Sequence, residues 1–342
     1  MSHFIRISPK IKENESCFRE VFKDCADILF HTMELGRGKT VDCFVIYLEV
    51  AVSNMILEKS VLGKFINELC KVSGDEILER VEKNALGISD AVQLDTAEDV
   101  VAGVFAGDAV FFIDGYAHAV KISEKGYPSM GVSEADREKV LRGSKEGFTD
   151  SVKTNSALIR KRIRNPGMKV KEQTIGRRSQ TKIQILYIEG LARSEILEEL
   201  ETKLSDFEID GVLDSGVIEQ LIKENWLSPF PQFQTTERPD KCAMELLNGR
   251  VVLLVDNSPV GLLIPAVFND FLQVSEDEYQ TFELATFLRV LRYLAVGCAM
   301  LFSGLYLAVT DFHTQVLPTN LILSFAKARR GVPFPGLIET LF

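Results

Sequence analysis

The sequence is poor in the features that build disulfides, metal sites and export signals. Its six cysteines show no C-x-x-C pair and no regular spacing, which is typical of reduced, packed thiols in a cytosolic domain. Its four histidines lie far apart, which argues against a metal site. The N-terminus MSHFIRISPKIKENES has no apolar core, so no cleavable secretory signal is predicted. The cysteines are Cys17, Cys25, Cys43, Cys70, Cys242 and Cys298.

Motifs for nucleotide binding and hydrolysis are missing as well. Gly38, Lys39 and Thr40 look like the tail of a phosphate loop, but Met33 occupies the position of the required glycine. The segment also follows a predicted helix and precedes a predicted strand, the reverse of a phosphate loop. No G-x-G-x-x-G follows a predicted strand, and there is no G-x-S-x-G. The sequence therefore predicts no cofactor and points to no catalytic residues.

The balance of charge is acidic. A formal net charge of −10 over 342 residues argues against a nucleic-acid partner for the chain as a whole. One local basic cluster stands out, and a solvated helix face explains it about as well as an anion site does. The cluster consists of Arg160, Lys161, Arg162 and Arg164.

One uncharged run, Tyr293 to Thr310, is long enough to suggest a membrane span. Eighteen residues in a helix extend ~27 Å, close to the ~30 Å hydrocarbon core of a bilayer. Arg289 and Arg292 precede the run, which favours a cytosolic side for everything before it. The alternative is the buried core helix of a soluble protein.

Two parts of the chain match each other in sequence. Residues 36–49 resemble residues 176–189 at an offset of 140, and residues 107–114 resemble residues 249–256 at an offset of 142. Each copy has the predicted order β-α-α-β-α-β-β, preceded in the first copy by one amphipathic helix over residues 16–34. Strands that alternate with helices predict a mostly parallel sheet with an antiparallel hairpin at its edge.

The predicted fold class is therefore α/β, with two tandem duplicated subdomains and a C-terminal membrane-helix segment. The predicted boundaries are 16–125 for the first α/β subdomain, 126–175 for a helical linker, 176–285 for the second α/β subdomain, and 289–342 for the start of a membrane domain with its span at about 293–310.

A polar stretch precedes the last predicted helix of the second copy. Glu237 or Asp240 is expected to cap the free amides of that helix, and Arg238 is expected to pair across a domain contact. These three residues are the candidate interaction or switch site, and a purely structural cap is the alternative.

Several motifs resemble one known family. The chain from about Arg142 onward is similar to the GerA family of spore germination proteins, whereas residues 36–122 match it less by motif than by position. The motifs are Gly143-Ser-Lys-Glu-Gly-Phe-Thr-Asp150, Asn155 to Arg164, Ser228-Pro-Phe-Pro231, Thr236-Glu-Arg-Pro-Asp240, Gly249 to Pro265, Arg289-Val-Leu-Arg292, His313, Leu317-Pro-Thr319 and Gly331-Val-Pro-Phe-Pro335.

The resemblance implies a receptor subunit rather than an enzyme. Members include the A subunits of nutrient germinant receptors, which lie in the lipid of the spore inner membrane with B and C subunits and form homo-oligomers. A paralogous branch works with SpoVA proteins. Residues 143–148 favour that branch and residues 228–231 favour the receptors, so both remain open. The large N-terminal domain is expected on the cytosolic side.

Family members continue through further membrane segments, whereas this chain stops at Phe342. A C-terminally truncated product is therefore expected. Two other functions remain open. One is a soluble α/β small-molecule-binding module with a pocket between the copies, and the other is a non-functional truncated paralogue.

Overall fold

The computed structural model describes residues 6–309 with gaps at 53–60, 83–90, 124–134, 136–137, 141–142, 224–226, 229, 275–276 and 278, and isolated positions between 313 and 327. The chain forms two compact units, Met1–Val267 and Phe268–Phe342. The first unit contains two α/β halves, which are called the first half and the second half below.

The first half contains five helices and five strands within its described residues. In chain order these are α1 (Ile11–Val21), β1 (Ile28–Leu35), β2 (Val41–Leu48), α2 (Glu49–Val52), α3 (Val61–Cys70), α4 (Gly74–Glu82), β3 (Ala91–Leu94), α5 (Ala97–Phe105), β4 (Ala109–Ile113) and β5 (Ala119–Ile122).

The second half follows with α6 (Val152–Arg160), β6 (Met168–Ile175), β7 (Thr181–Ile188), α7 (Ser194–Asp206), α8 (Ser215–Ile222), β8 (Gln234–Thr236), α9 (Pro239–Leu247), β9 (Val251–Val255) and β10 (Gly261–Ile264). The second unit contains a short 3₁₀ helix, Phe268–Phe271, and the long helix α10, Phe282–Leu307.

Each half is built on one five-stranded sheet. The strand order is β1-β2-β4-β5-β3 in the first half and β6-β7-β9-β10-β8 in the second. All the strand pairs in both orders are antiparallel, so the expectation of a mostly parallel sheet is wrong. Helix α5 does connect strands that run the same way, because β3 and β4 are both antiparallel to β5. Since β5 lies between them, no parallel pair forms.

The prediction of a single helix over residues 16–34 is also wrong. Helix α1 ends at Val21, Asp24 has a left-handed backbone with φ of 58°, and β1 begins at Ile28. The apolar residues after Val21 fit a helical period, but Ile28 pairs with Leu48 of β2 along a full antiparallel ladder. Long-range strand pairing therefore outweighs the local pattern.

The halves share the spacing of their elements and their buried polar contacts. Strands β1 and β6 begin 140 residues apart, and helices α5 and α9 begin 142 residues apart. Asn14 and Asn155 are buried, and each side-chain amide bonds both the N–H and the C=O of the residue six positions earlier. Asp114 and Asp256 each accept a 3.1 Å bond from the first N–H of α1 or α6.

Apolar side chains fill the faces of both sheets. Phe44 of β2 stacks on Phe112 of β4 at 4.4 Å between ring centroids, and both rings are buried. In the second half, buried residues of β7 and β9 contribute alternately to clusters on the two faces, as their alternating side-chain directions require. Helices α6 and α9 pack against one of these faces and contribute buried residues to its cluster.

Candidate functional site at the contact between the two halves

A buried ion pair joins the first half to the second. Arg160, the last residue of α6, donates through Nε to Oδ2 of Asp27 at 2.8 Å and through Nη2 to Oδ1 at 3.0 Å. Arg160 is 0% exposed and Asp27 is 5% exposed. Two parallel bonds between a guanidinium and a carboxylate fix direction as well as distance. The pair therefore constrains the orientation of the two halves.

The other groups around Arg160 compensate for its burial. Its Nη1 donates to the carbonyl oxygens of Asn165 at 3.2 Å and Met168 at 2.8 Å. The guanidinium carbon lies 5.0 Å from the ring centroid of Phe105, at the end of α5 in the first half. A buried arginine is tolerated when charge, carbonyl oxygens and an aromatic face replace its water.

Backbone hydrogen bonds run beside this ion pair. The N–H of Ala26 donates to the carbonyl of Val170 at 2.9 Å, and the N–H of Val170 donates to the carbonyl of Asp24 at 2.9 Å. The ammonium of Lys169, itself buried, donates to the carbonyl of Lys23 at 2.9 Å. The segment before β1 therefore covers part of the edge strand β6, which would otherwise expose unpaired backbone groups.

Charged side chains lie near the same contact. Lys153 of α6 pairs with Glu49 of α2, so a second ion pair joins the halves. Lys182 pairs with Glu172 at 2.7 Å on the neighbouring strands β6 and β7. Burial alone would raise the pKa of Glu172, but hydrogen bonds from Lys182 and Gln184 outweigh it, and the pKa lies below its ordinary value.

The basic cluster noted in the sequence does not act as one surface. Arg160 is buried against Asp27, whereas Lys161 and Arg162 both pair with Glu146, at 2.9 and 2.6 Å. Asp27 has no local signal in the sequence, because its partner lies 133 residues away. Sequence reasoning therefore missed this contact.

The three residues predicted as an interaction or switch site lie together at the start of α9. Arg238 is 1% exposed and Asp240 is 8% exposed. Nε of Arg238 bonds Oδ1 of Asp240 at 3.1 Å, and Nη2 bonds Oδ2 at 2.5 Å. The bonds of Arg238 to Asp240 stay within one turn, and its Nη1 lies 3.5 Å from the carbonyl oxygen of Glu138. A role of these residues in interaction or switching stays a prediction.

Glu138 supplies a cap for this turn from the segment between the halves. Its Oε2 accepts hydrogen bonds from the hydroxyl of Thr236 and, at 3.1 Å, from the N–H of Glu237. Its Oε1 lies 3.1 Å from Nζ of Lys241. The N-cap residue Arg238 makes no side-chain capping bond itself. A carboxylate distant in sequence thus occupies the anion position at the helix N-terminus.

A small, mainly apolar pocket opens in the second half. Its volume is about 310 Å³, and its lining includes Leu200 of α7, Ile222 of α8 and Phe233 before β8. Glu199 and Lys203, which pair at 2.6 Å, also line it. The pocket lies within the second half, whereas the small-molecule alternative predicted a pocket between the copies.

The described residues offer no group of three or more His, Cys, Asp or Glu side chains that would hold a metal ion. All six cysteines are free thiols. Burial raises the pKa of Cys43 to about 12, and it raises the pKa of Cys25 and Cys242 as well. These three thiols pack as apolar side chains rather than as nucleophiles.

Within the second unit, α10 is the one described helix that is long and apolar enough to cross a membrane. It has 26 residues and a mean hydropathy of 1.6 over its most apolar window, none of which is buried. It covers the predicted span from Tyr293 to Leu307, and the last predicted residue, Thr310, lies outside the described residues. Arg292 at its centre bonds both carboxylate oxygens of Asp277, at 2.6 and 2.7 Å.

The fold and these contacts define a mixed α/β protein with one candidate membrane helix. A family profile described as Bacillus/Clostridium GerA spore germination protein matches residues 16–342. The chain belongs to this family, which confirms the resemblance seen in the sequence motifs.

Curated relatives match nearly the whole chain. The spore germination protein GerLA of Bacillus cereus is 37% identical over 339 residues, which cover 97% of this chain and 68% of GerLA. The uncharacterized membrane protein YfkQ of Bacillus subtilis (strain 168) is 36% identical over 337 residues, which cover 98% of this chain and 64% of YfkQ. The chain thus spans about two thirds of the length of these relatives.

A solved structure shares the fold. It is the crystal structure of the N-terminal domain of the A subunit of the Bacillus megaterium spore germinant receptor GerK3. The match has a TM-score of 0.59 and 27% sequence identity, and it covers 78% of this chain and 99% of that domain.

Proposed function

We propose that this chain acts as an A-type subunit of a membrane-bound germinant receptor in the spore inner membrane. In this role the α/β halves transmit a nutrient-dependent signal and assemble the complex with B and C subunits, and with further copies of the chain. An association with SpoVA proteins is the related possibility. The observation that carries the proposal is the match to GerA proteins over residues 16–342, which includes the candidate span in α10.

The contact between the halves supports a transmitting role. Two independently moving halves would dissipate a displacement, whereas the buried Arg160–Asp27 pair holds them at a fixed orientation. The common order and spacing of their elements further support a common origin, so we propose that the halves are duplicated copies of one unit. Two copies held at one fixed orientation move as a single rigid body, and this body passes force to the membrane segment.

Membrane attachment is tested by fractionation of spores that carry the tagged full chain. The proposal expects the chain in the inner-membrane fraction after a high-salt wash, with a known soluble spore protein as control. Recovery in the soluble fraction alone would contradict the membrane assignment.

A strain in which Arg160→Ala replaces the native residue should retain the membrane location but lose nutrient-triggered germination.

Orientation is tested with sealed inside-out vesicles. The arginines before the uncharged run favour a cytosolic N-terminal unit, so protease should cut residues 1–267 of inside-out vesicles and leave them intact in right-side-out vesicles. Cutting only in the right-side-out preparation would reverse the proposed topology.

The apolar pocket supports a second function, the binding of a small molecule by the second half. Its space of about 310 Å³ suits a compact ligand, and the Glu199–Lys203 pair offers charge of both signs. A thermal-shift screen with amino acids, sugars and nucleosides tests this. A ligand that acts there should lose its shift in Ala266→Phe, which fills the pocket, and retain it in Val92→Phe, at an exposed strand position. The same shift in both variants would exclude this pocket.

A further inference from the structure

Two phenylalanines form one exposed face of the 3₁₀ helix that precedes α10. Phe268 and Phe271 are its first and last residues. Side chains three positions apart in a 3₁₀ helix are eclipsed, so both rings point the same way. They are 61% and 45% exposed, whereas Asp270 between them is buried. The short helix is thus amphipathic, with its apolar side exposed.

Polar contacts hold the 3₁₀ helix beside residues 292 and 293 of α10. The side chains of Tyr293 and Asn269 are hydrogen-bonded, and Nη1 of Arg292 donates to the carbonyl of Leu272 at 3.1 Å. Tyr293 is the first residue of the uncharged run. Asn269 lies between the two phenylalanines in sequence, so their exposed face lies near the point where the charged part of α10 ends.

The charges at this level of α10 cancel. Arg292 bonds both oxygens of Asp277, and Nε of Arg289 lies 3.4 Å from Oδ2 of the same carboxylate. Asp270 of the 3₁₀ helix adds a second carboxylate, so these four residues carry no net formal charge. A tyrosine and exposed aromatic rings at the start of an uncharged run are typical of a membrane–water interface.

We propose that the helix Phe268–Phe271 lies in the interfacial layer of the membrane, with the rings of Phe268 and Phe271 inserted among the lipids. Lipid is the proposed occupant because Asn269, which lies between the two phenylalanines, contacts Tyr293, the first residue of the uncharged run. This inference rests on the proposed membrane span, since without the span nothing holds this level at a bilayer. The helix would then act as a second anchor, which sets the depth and tilt of α10.

Tryptophan quenching by brominated lipids tests the depth of each position. The full chain with Trp226, its only tryptophan, changed to Phe is reconstituted in vesicles of phosphatidylcholine and phosphatidylglycerol. Single tryptophans replace Phe268, Phe271, Phe302 in the middle of the uncharged run, or Leu213, which is 78% exposed in the second half. Bromine is placed either near the headgroup or deep in the acyl chain.

Bromine near the headgroup should quench F268W and F271W, deep bromine should quench F302W, and L213W should lose no emission with either lipid. If F302W is quenched while F268W and F271W behave like L213W, the interfacial helix is refuted and the span stands. If F302W is not quenched either, the proposed span itself fails. A blue-shifted but unquenched F268W would place a protein partner on this face and would also overturn the inference.

Discussion

Arg19 and Arg160 occupy equivalent positions in α1 and α6, five residues after the equivalent Asn14 and Asn155, yet only Arg160 is buried. The side chain of Arg19 is 53% exposed and pairs with Glu15 in its own helix. Arg160 instead reaches Asp27 in the other half. The arginine at this repeated position is therefore exposed to solvent in the first half, whereas in the second half it forms the contact between the halves.

This difference predicts unequal effects of the same substitution. Arg160→Ala leaves the carboxylate of Asp27 buried without a counter-charge, which should lower the free energy of unfolding by ~3–5 kcal/mol. Arg19→Ala is the matched control and should cost at most ~1 kcal/mol, because its ion pair is exposed. Urea unfolding of residues 1–267 measures both, since the matching GerK3 domain was crystallised on its own. Equal losses in the two variants would show that burial of the pair contributes nothing.

The charge of Asp27, rather than the volume of Arg160, should dominate that loss. Arg160→Met keeps most of the side-chain volume but leaves Asp27 unpaired. Adding Asp27→Leu removes the unpaired charge, so the double variant should be more stable than Arg160→Met alone by at least ~3–5 kcal/mol. The same unfolding measurement on both variants gives this difference in stability. A double variant less stable than the single one would indicate that packing, not charge, makes the contact.

Glu138 should stabilise the N-terminus of α9 from a distance. Glu138→Ala leaves the hydroxyl of Thr236 and the N–H of Glu237 without this acceptor, and the expected loss is ~1–3 kcal/mol. The control is Glu198→Ala, an exposed carboxylate in the middle of α7, which should change stability little. Hydrogen exchange should locate the Glu138→Ala effect in residues 234–242. Exchange that rises elsewhere but not there would reject the capping role.

Thiol reactivity should separate the cysteines by burial. A thiolate is the nucleophile that attacks a charged thiol reagent, and the raised pKa values of Cys25, Cys43 and Cys242 suppress the thiolate near neutral pH. Of the two exposed cysteines, Cys298 lies in the apolar helix α10, so Cys70 should be labelled first in the folded chain. Mass spectrometry of peptides, with Cys70→Ala as control, measures the order. Labelling of Cys43 before Cys70 would contradict the buried position of β2.

The local patterns predicted most of the elements, and the long-range contacts account for what was missed. The repeat offsets of 140 and 142 recur as the spacings of β1 and β6 and of α5 and α9. The predicted parallel direction of the strands was wrong, because β5 lies between β3 and β4 in the sheet. No local pattern encodes that pairing. Asp27 is a single aspartate whose role depends on a residue 133 positions away. Arg238 and Asp240 stand out in the sequence because their signal is local, and their role in interaction or switching stays a prediction.

The ion pair at Asp277 should hold at neutral pH and fail only in acid. Hydrogen bonds from Arg292 lower the pKa of Asp277 below its ordinary value of 3.8. A carboxylate with a lowered folded pKa contributes stability above its unfolded pKa and loses that contribution as the pH falls through the folded value. Asp277→Asn removes the charge at every pH.

Hydrogen exchange over residues 272–277 of the full chain in vesicles measures this contact, because Oδ2 of Asp277 lies 3.5 Å from the N–H of Val274. After correction for intrinsic rates, Asp277→Asn should exchange faster than the native chain at neutral pH, and the two should converge only below the ordinary carboxyl pKa of 3.8. Glu283→Gln, at an exposed carboxylate of α10, should leave exchange unchanged. Equal exchange of Asp277→Asn and the native chain at neutral pH would mean that this ion pair does not hold the segment to α10.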